Sequence, residues 1–213
     1  MDNFNYYHTL VNRNIKKQHS FTFNAKTILM NKLFFAAIFI FLFSSTSFAQ
    51  NFRAVDKSPM DMAFYPDNFA HDRKAGDKAI IRVTYSRPAK KTRTIFGDLI
   101  PYNKVWRTGA NESSEIKFYQ DVVLAGKNVK AGSYALFTIP GEKEWTIILN
   151  SDLDYWGAYS YKAGNDVLRV TAPVTVLTEV IENFSIQFEN KGTNEGVMKL
   201  AWDNTLVTVP FKL

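Results

Sequence analysis

A period of two constrains this chain more than any other feature. Ala79, Ile81, Val83 and Tyr85 alternate with Ile80, Arg82, Thr84 and Ser86. Trp145, Ile147 and Leu149 alternate with Thr146, Ile148 and Asn150. Phe184, Ile186 and Phe188 alternate with Ser185, Gln187 and Glu189. Successive side chains of a strand point to opposite faces, so each run lays one row against a core. Val, Ile, Thr and aromatic residues fill these runs, as a pleated surface prefers.

Turn residues punctuate the alternation. Pro140-Gly141-Glu142-Lys143 separates 134–139 from 144–150 and predicts a hairpin. Asp203-Asn204 separates 197–202 from 206–211 and predicts a second. Ala125-Gly126 and Ala131-Gly132 bracket a short segment, 127–130. Strands at this spacing predict an all-β fold, an antiparallel β-sandwich, jelly-roll-like, of roughly eight to ten strands. The sandwich is assigned to 79–213, and 50–78 is an entry arm with turn signals at Ser58-Pro59 and Tyr65-Pro66.

Upstream of the arm the composition changes. Residues 33–43 (LFFAAIFIFLF) are an unbroken apolar run, preceded by Lys32 and followed by small residues up to Ser47-Phe48-Ala49. A basic flank, a short apolar core and a small-x-small end make a signal peptide. The run is about half the roughly 20 apolar residues of a spanning helix. The expectation is therefore a signal peptide at 30–49, cleaved after Ala49, and a periplasmic or extracellular protein with no membrane span after cleavage. Met30-Asn31-Lys32 makes a better start for such a leader than Met1, so 1–29 is read as an upstream extension.

Cleavage changes the electrostatics. Five of the 26 basic residues and one of the 20 acidic residues lie in 1–49, so the net charge falls from +6 to +2. A near-neutral domain gives no case for a nucleic-acid partner. There is no cysteine, which excludes thiolate catalysis and thiolate metal sites. His71 is the one histidine left after the leader, in the polar stretch Phe69-Ala-His-Asp-Arg73, so a Ser-His-Asp triad has little to draw on. Ser114-Glu-Ile-Lys117 matches a nucleophile motif that belongs at a helix start, but here it enters an alternating run. Asp152-Leu-Asp154-Tyr-Trp-Gly157 begins like a calcium loop, yet Trp156 and Ala163 occupy ligand positions five and twelve. No phosphate-cradling glycine loop is present. No metal, cofactor or catalytic residue is assigned.

What remains is a dense polar region at 86–115. It holds Arg87, Lys90, Lys91, Arg93, Lys104, Arg107, Asn111 and Glu112, with Tyr102 and Trp106 among them. Guanidinium forks recognise carboxylates, phosphates and sulfates, and aromatic faces stack on sugars. Thr108-Gly-Ala-Asn111 reads as a turn that presents backbone N–H groups to an anion. The candidate ligand-binding set is Arg87, Arg93, Trp106, Arg107, Asn111, Glu112 and Trp156. Three functions compete for it. The first is binding of a glycan or anionic small molecule. The second is a structural or interaction protein of the cell envelope, with an internal Arg107–Glu112 pair as bracing. The third is a hydrolase using carboxylates, with Glu112 and Glu115 as the first pair to consider.

Five motifs in these segments carry a resemblance. They are Tyr85-Ser-Arg-Pro88, Lys91-x-Arg-x-Ile-Phe-Gly97, Pro101-Tyr-x-x-Val-Trp-Arg-Thr-Gly-Ala-Asn-Glu112, Gly132-x-Tyr-x-Leu-Phe-Thr-Ile-Pro140 and Trp145-Thr-Ile-Ile-Leu-Asn150. In this order they resemble the bacterial exported family called domain of unknown function 2911. The resemblance implies a β-rich exported protein and assigns no activity, substrate or catalytic residue.

Overall fold

A computed structural model describes residues 52–67 and 69–213, with Leu29, Met30, Lys32 and Phe34 as helical positions upstream. The expected cleavage site and most of the apolar run of the leader lie outside the described residues. Among the described residues no helix is long and apolar enough to cross a membrane. The chain divides into two compact units, 1–53 and 54–213, and the second carries the sheet.

The alternating segments form β1 (Met60–Tyr65), β2 (Ile81–Ser86), β3 (Ser114–Phe118), β4 (Val122–Leu124), β5 (Lys127–Val129), β6 (Gly132–Ile139), β7 (Glu144–Asn150), β8 (Asp166–Gly192) and β9 (Glu195–Lys212). One short helix, α1 (Phe69–Asp72), follows β1. The strands make a single nine-stranded sheet in the order β1-β2-β3-β6-β7-β8-β9-β4-β5. Every pairing between them is antiparallel. The expected antiparallel, sandwich-like all-β fold is thus the fold of the chain. The entry arm supplies β1, which pairs with β2 from Met60↔Ser86 to Tyr65↔Ile81.

β8 makes one sheet into two layers. Its first part, 166–173, pairs with β7, and the rest pairs with β9. The register slips between Val176 and Ile181 and again before Ser185. Such bulges bend a strand, and the sheet folds over a single core. Val83 and Tyr85 of β2, Ile147 and Leu149 of β7, Phe184 and Ile186 of β8, and Leu200 and Trp202 of β9 are buried in it together. Trp106 and Trp202 stack at 6.0 Å between ring centroids, and Phe96 meets Trp145 edge-on at 4.9 Å. The 134–139/144–150 hairpin forms as expected, as β6 and β7. The second expected hairpin does not. Asp203 and Asn204 lie inside the continuous β9, with Asp203 at φ 55° opposite Ile181 in the slipped stretch. The turn chemistry there serves a bend, because β8 supplies a partner on both sides of it.

A smaller apolar cluster occupies the outer face of β6 and β7. Ala135, Phe137 and Ile148 are covered by Tyr155, with Val105, Leu153, Ala158 and Tyr161 around them. Two loops, 101–113 and 151–165, form this cover, and they carry the candidate site.

Candidate functional site

The first loop is an excursion from a strand line. Trp106 exchanges both main-chain hydrogen bonds with Thr138 of β6, at 2.7 and 2.9 Å. Two residues of register further along β6, Leu136 pairs with Ser114. The chain between Trp106 and Ser114 is therefore extruded, and its neck is closed by Ser114 N–H donating to Arg107 O at 3.1 Å. Thr108 and Asn111 turn the loop with φ of 56° and 60°. Inside it, Ser114 Oγ donates to Thr108 O at 2.6 Å, Trp106 Nε1 to Gly109 O at 3.0 Å, and Thr108 Oγ1 to Thr138 Oγ1 at 3.1 Å. Gly109 lies so close to β2 that a Cβ would sit 3.2 Å from Ser86 O.

The second loop is pinned at its base by polar groups. Asn150 Nδ2 donates to Asp166 Oδ1 at 2.8 Å and to Lys162 O at 3.0 Å. The Tyr155 phenol donates to Asp152. That hydrogen bond, then burial and the Asp152 charge, push the phenol up to about 12. Tyr161 donates to Asp166 at 2.5 Å, and Arg169 reaches the same carboxylate at 2.6 Å.

The loops zip together. Ser113 N–H donates to Tyr155 O and Gly157 N–H to Asn111 O, both at 2.9 Å, which leaves Glu112 and Trp156 as an antiparallel bridge. In Tyr155-Trp-Gly-Ala-Tyr159 the chain turns at Gly157, with φ of 69°, and Tyr155 and Ala158 both face the apolar cluster. Trp156 and Tyr159 face solvent, with 62% and 86% of their surface exposed. The Tyr159 ring lies on Gly157, where a Cβ would meet it at 2.7 Å. Arg107 is half-buried at the neck. Burial pushes its pKa down, and the Tyr159 phenol acts in the opposite sense.

A concavity of about 390 Å³ opens beside this zipper on the outer face of the sheet. Its floor follows the register across three strands, Thr84↔Glu115 and Glu115↔Ala135. Glu112, Leu153 and Asp154 wall it from the loops, and Arg82 and Met60 from the sheet. Arg82 lies 3.6 Å from Glu115, which also accepts from Ser133 Oγ at 3.3 Å. Among the described residues no cluster of three or more His, Asp or Glu is arranged to hold a metal ion.

The seven candidate residues separate in this geometry. Arg107, Asn111, Glu112 and Trp156 share the zippered loops. Arg87 is committed elsewhere. Its Nη1 donates to Asp61 at 2.8 Å, its Nη2 to Ser185 Oγ at 2.8 Å and its Nε to Phe184 O at 3.2 Å, which ties β1 and β2 to β8. Arg93 donates to the main-chain carbonyls of Ala89 and Lys90. Trp106 belongs to the core. Arg107 and Glu112 form no ion pair among the described residues. Sequence reasoning passed over Tyr159, Arg82 and Asp154. The outward parity of Arg82 in 81–86 was the available signal for Arg82, whereas strand parity would put Tyr159 on the side of the buried Tyr155, so no local signal marked it.

The fold and these loops define an all-β protein with a rigid two-layer frame and a polar, aromatic loop surface on one outer face. The chain belongs to the family described as protein of unknown function (DUF2911), whose family model matches residues 67–211. No match to a curated protein or to a solved structure reaches significance.

Proposed function

We propose that this is an exported β-domain that binds a saccharide on the Trp156–Tyr159 platform, with Asn111 and Glu112 supplying polar contacts. One observation carries the reading: two aromatic side chains face solvent from a loop that main-chain hydrogen bonds hold on one side and Tyr155, Asn150 and Asp166 hold at its base. Exposed aromatic groups on a mobile loop pay an ordering cost when they bind, and this loop has already met it. Aromatic faces offer a sugar ring apolar contact while neighbouring polar groups take its hydroxyls.

The protein contains its own probe. Trp106, Trp145 and Trp202 are 4%, 1% and 1% exposed, so Trp156 is the tryptophan that solvent and ligand reach. Titration of the Gln50–Leu213 domain with an oligosaccharide panel is expected to shift Trp156 emission and raise the melting temperature. Trp156→Ala is expected to abolish both responses. A saccharide that binds Trp156→Ala as tightly as the parent protein sinks the proposal. Export rests on the leader composition. Expression of the full chain in a bacterial host should yield a periplasmic product whose N-terminus is Gln50.

One observation supports a second reading, glycoside hydrolysis. Glu112, Glu115 and Asp154 wall the same concavity, and two carboxylates roughly 5–10 Å apart are the minimum for that chemistry. Release of new reducing ends from a bound oligosaccharide, lost in Glu112→Gln, is the expected sign. Indefinite survival of every bound oligosaccharide removes this reading and leaves the first intact.

A further inference from the structure

Among the described residues Arg107 is a half-buried cation without a counter-charge. Its Nε–H is buried and meets no acceptor. Among the described residues its guanidinium makes no ion pair and donates no hydrogen bond, whereas Arg87, Arg93 and Arg169 are committed to protein acceptors. Its terminal N–H groups are not among the buried unpartnered atoms, so they are the part that faces solvent. A planar fork with several free donors matches a carboxylate or sulfate oxygen pair. Leaving a partly desolvated charge unpaired is unfavourable, and a ligand anion removes that penalty on binding.

The position of this cation matters as much as its state. Arg107 sits at the neck of the loop whose far side is bonded to Gly157 through Asn111, so it belongs to the same pair of bonded loops as Trp156 and Tyr159. The carboxylates Glu112 and Asp154 lie toward the concavity. Among the described residues the two bonded loops thus carry an unpaired cation, two exposed aromatic side chains and two carboxylate acceptors. We propose that the ligand is an acidic saccharide. Its carboxylate or sulfate ester takes the terminal N–H groups of Arg107, its ring covers Trp156, and its hydroxyls donate to Glu112.

The proposal rests on the platform reading, and its test separates the two. The 50–213 domain is assayed against oligouronates of several stereochemistries, the same oligomers with their carboxyl groups reduced to alcohols, and sulfated oligosaccharides. Binding is followed by calorimetry and Trp156 emission. At least one acidic oligomer is expected to bind, with affinity about tenfold or more above its reduced counterpart. Preference for uronates or for sulfated chains identifies the source of the anion. Arg107→Gln is expected to bring the acidic oligomer down to the level of the reduced one, and Arg107→Lys to retain part of the difference. Melting temperatures of both variants establish that they fold. If reduced and acidic oligomers bind alike, or Arg107→Gln keeps the preference, the acidic-ligand proposal falls. If that binding is still lost in Trp156→Ala, the platform reading stands without it. If acidic oligomers bind and Trp156→Ala does not weaken them, the platform reading falls instead.

Discussion

Glu112 and Trp156 face each other across an antiparallel bridge, though each belongs to a loop. The bridge is made by the main chains of their neighbours, Asn111 with Gly157 and Ser113 with Tyr155. Both side chains are thus released from structural duty and held in place at the same time. Trp156→Ala accordingly leaves the bridge intact, and its effect on unfolding free energy is expected to stay within about 0.5 kcal/mol, as for a surface residue. The same variant should lose nearly all acrylamide-quenchable tryptophan emission. A large loss of stability would mean that the indole packs against the loops.

Gly157 is where the platform depends on backbone geometry. Its φ is +69°, and a Cβ there would lie 2.7 Å from the Tyr159 ring. Gly157→Ala is expected to cost roughly 1–3 kcal/mol from the left-handed backbone and the displaced ring together. Adding Tyr159→Ala should recover the steric part and leave the backbone part. Chemical denaturation of the two variants checks this, and equal stability of single and double variants would show that the ring moves aside at no cost.

Arg87 tests the frame rather than the site. Its fork joins Asp61 in β1 to Ser185 and Phe184 in β8, and it is the charged tie between these strands. Arg87→Ala removes a charge-assisted bond to a carboxylate and two further bonds, a loss of roughly 2–4 kcal/mol. Ser185→Ala is expected to cost about 1 kcal/mol, because Arg87 keeps its other acceptors. Urea midpoints measure both. Neither variant should change saccharide affinity measured well below its unfolding midpoint; if Arg87→Ala alone abolishes binding to a folded protein, Arg87 belongs to the site after all.

The sequence made the strands legible because their information is local. Alternation in 81–86 and 144–150 needs no knowledge of the partner strand, and the Pro140-Gly141 turn closes its hairpin within a few residues. Asp203-Asn204 misled because a hairpin turn and a strand bend use the same residues. The choice is made by β8, whose slipped register lies about twenty residues away in sequence. The Arg-rich region divides by the same rule. Phe184 and Ser185, the acceptors of Arg87, are 97 and 98 residues away in sequence, so nothing near Arg87 announces them. Arg107, Asn111 and Glu112 stay together in the fold because a single extruded loop holds them. Trp156 stands out in the sequence as a lone aromatic, while its neighbour Tyr159 does not, because only the folded loop places that ring over Gly157.

Tyr155 links the stability of the 151–165 loop to pH. Its phenol donates to Asp152, which also accepts from Asn165 Nδ2 at 3.2 Å, so this contact ties the start of the 151–165 loop to its end. The hydrogen bond, then burial and the charge of Asp152, push the phenol up to about 12, against about 10 for a free tyrosine. The folded state therefore favours the protonated phenol. This contribution is complete below about pH 10 and is lost as the pH rises through about 12. Ring-carbon NMR of tyrosine-labelled protein should show Tyr155 titrating with a midpoint near 12. Asp152→Asn removes the charge and weakens the acceptor, so the midpoint should fall toward the ordinary value. The midpoint of Tyr161, whose partners are Asp166 and Arg169, should not move. Saccharide affinity is expected to decline over the same alkaline window in the parent protein, since an ionised Tyr155 repels Asp152 and loosens the loop that carries Trp156. A Tyr155 midpoint indifferent to Asp152→Asn would break this linkage at its first step.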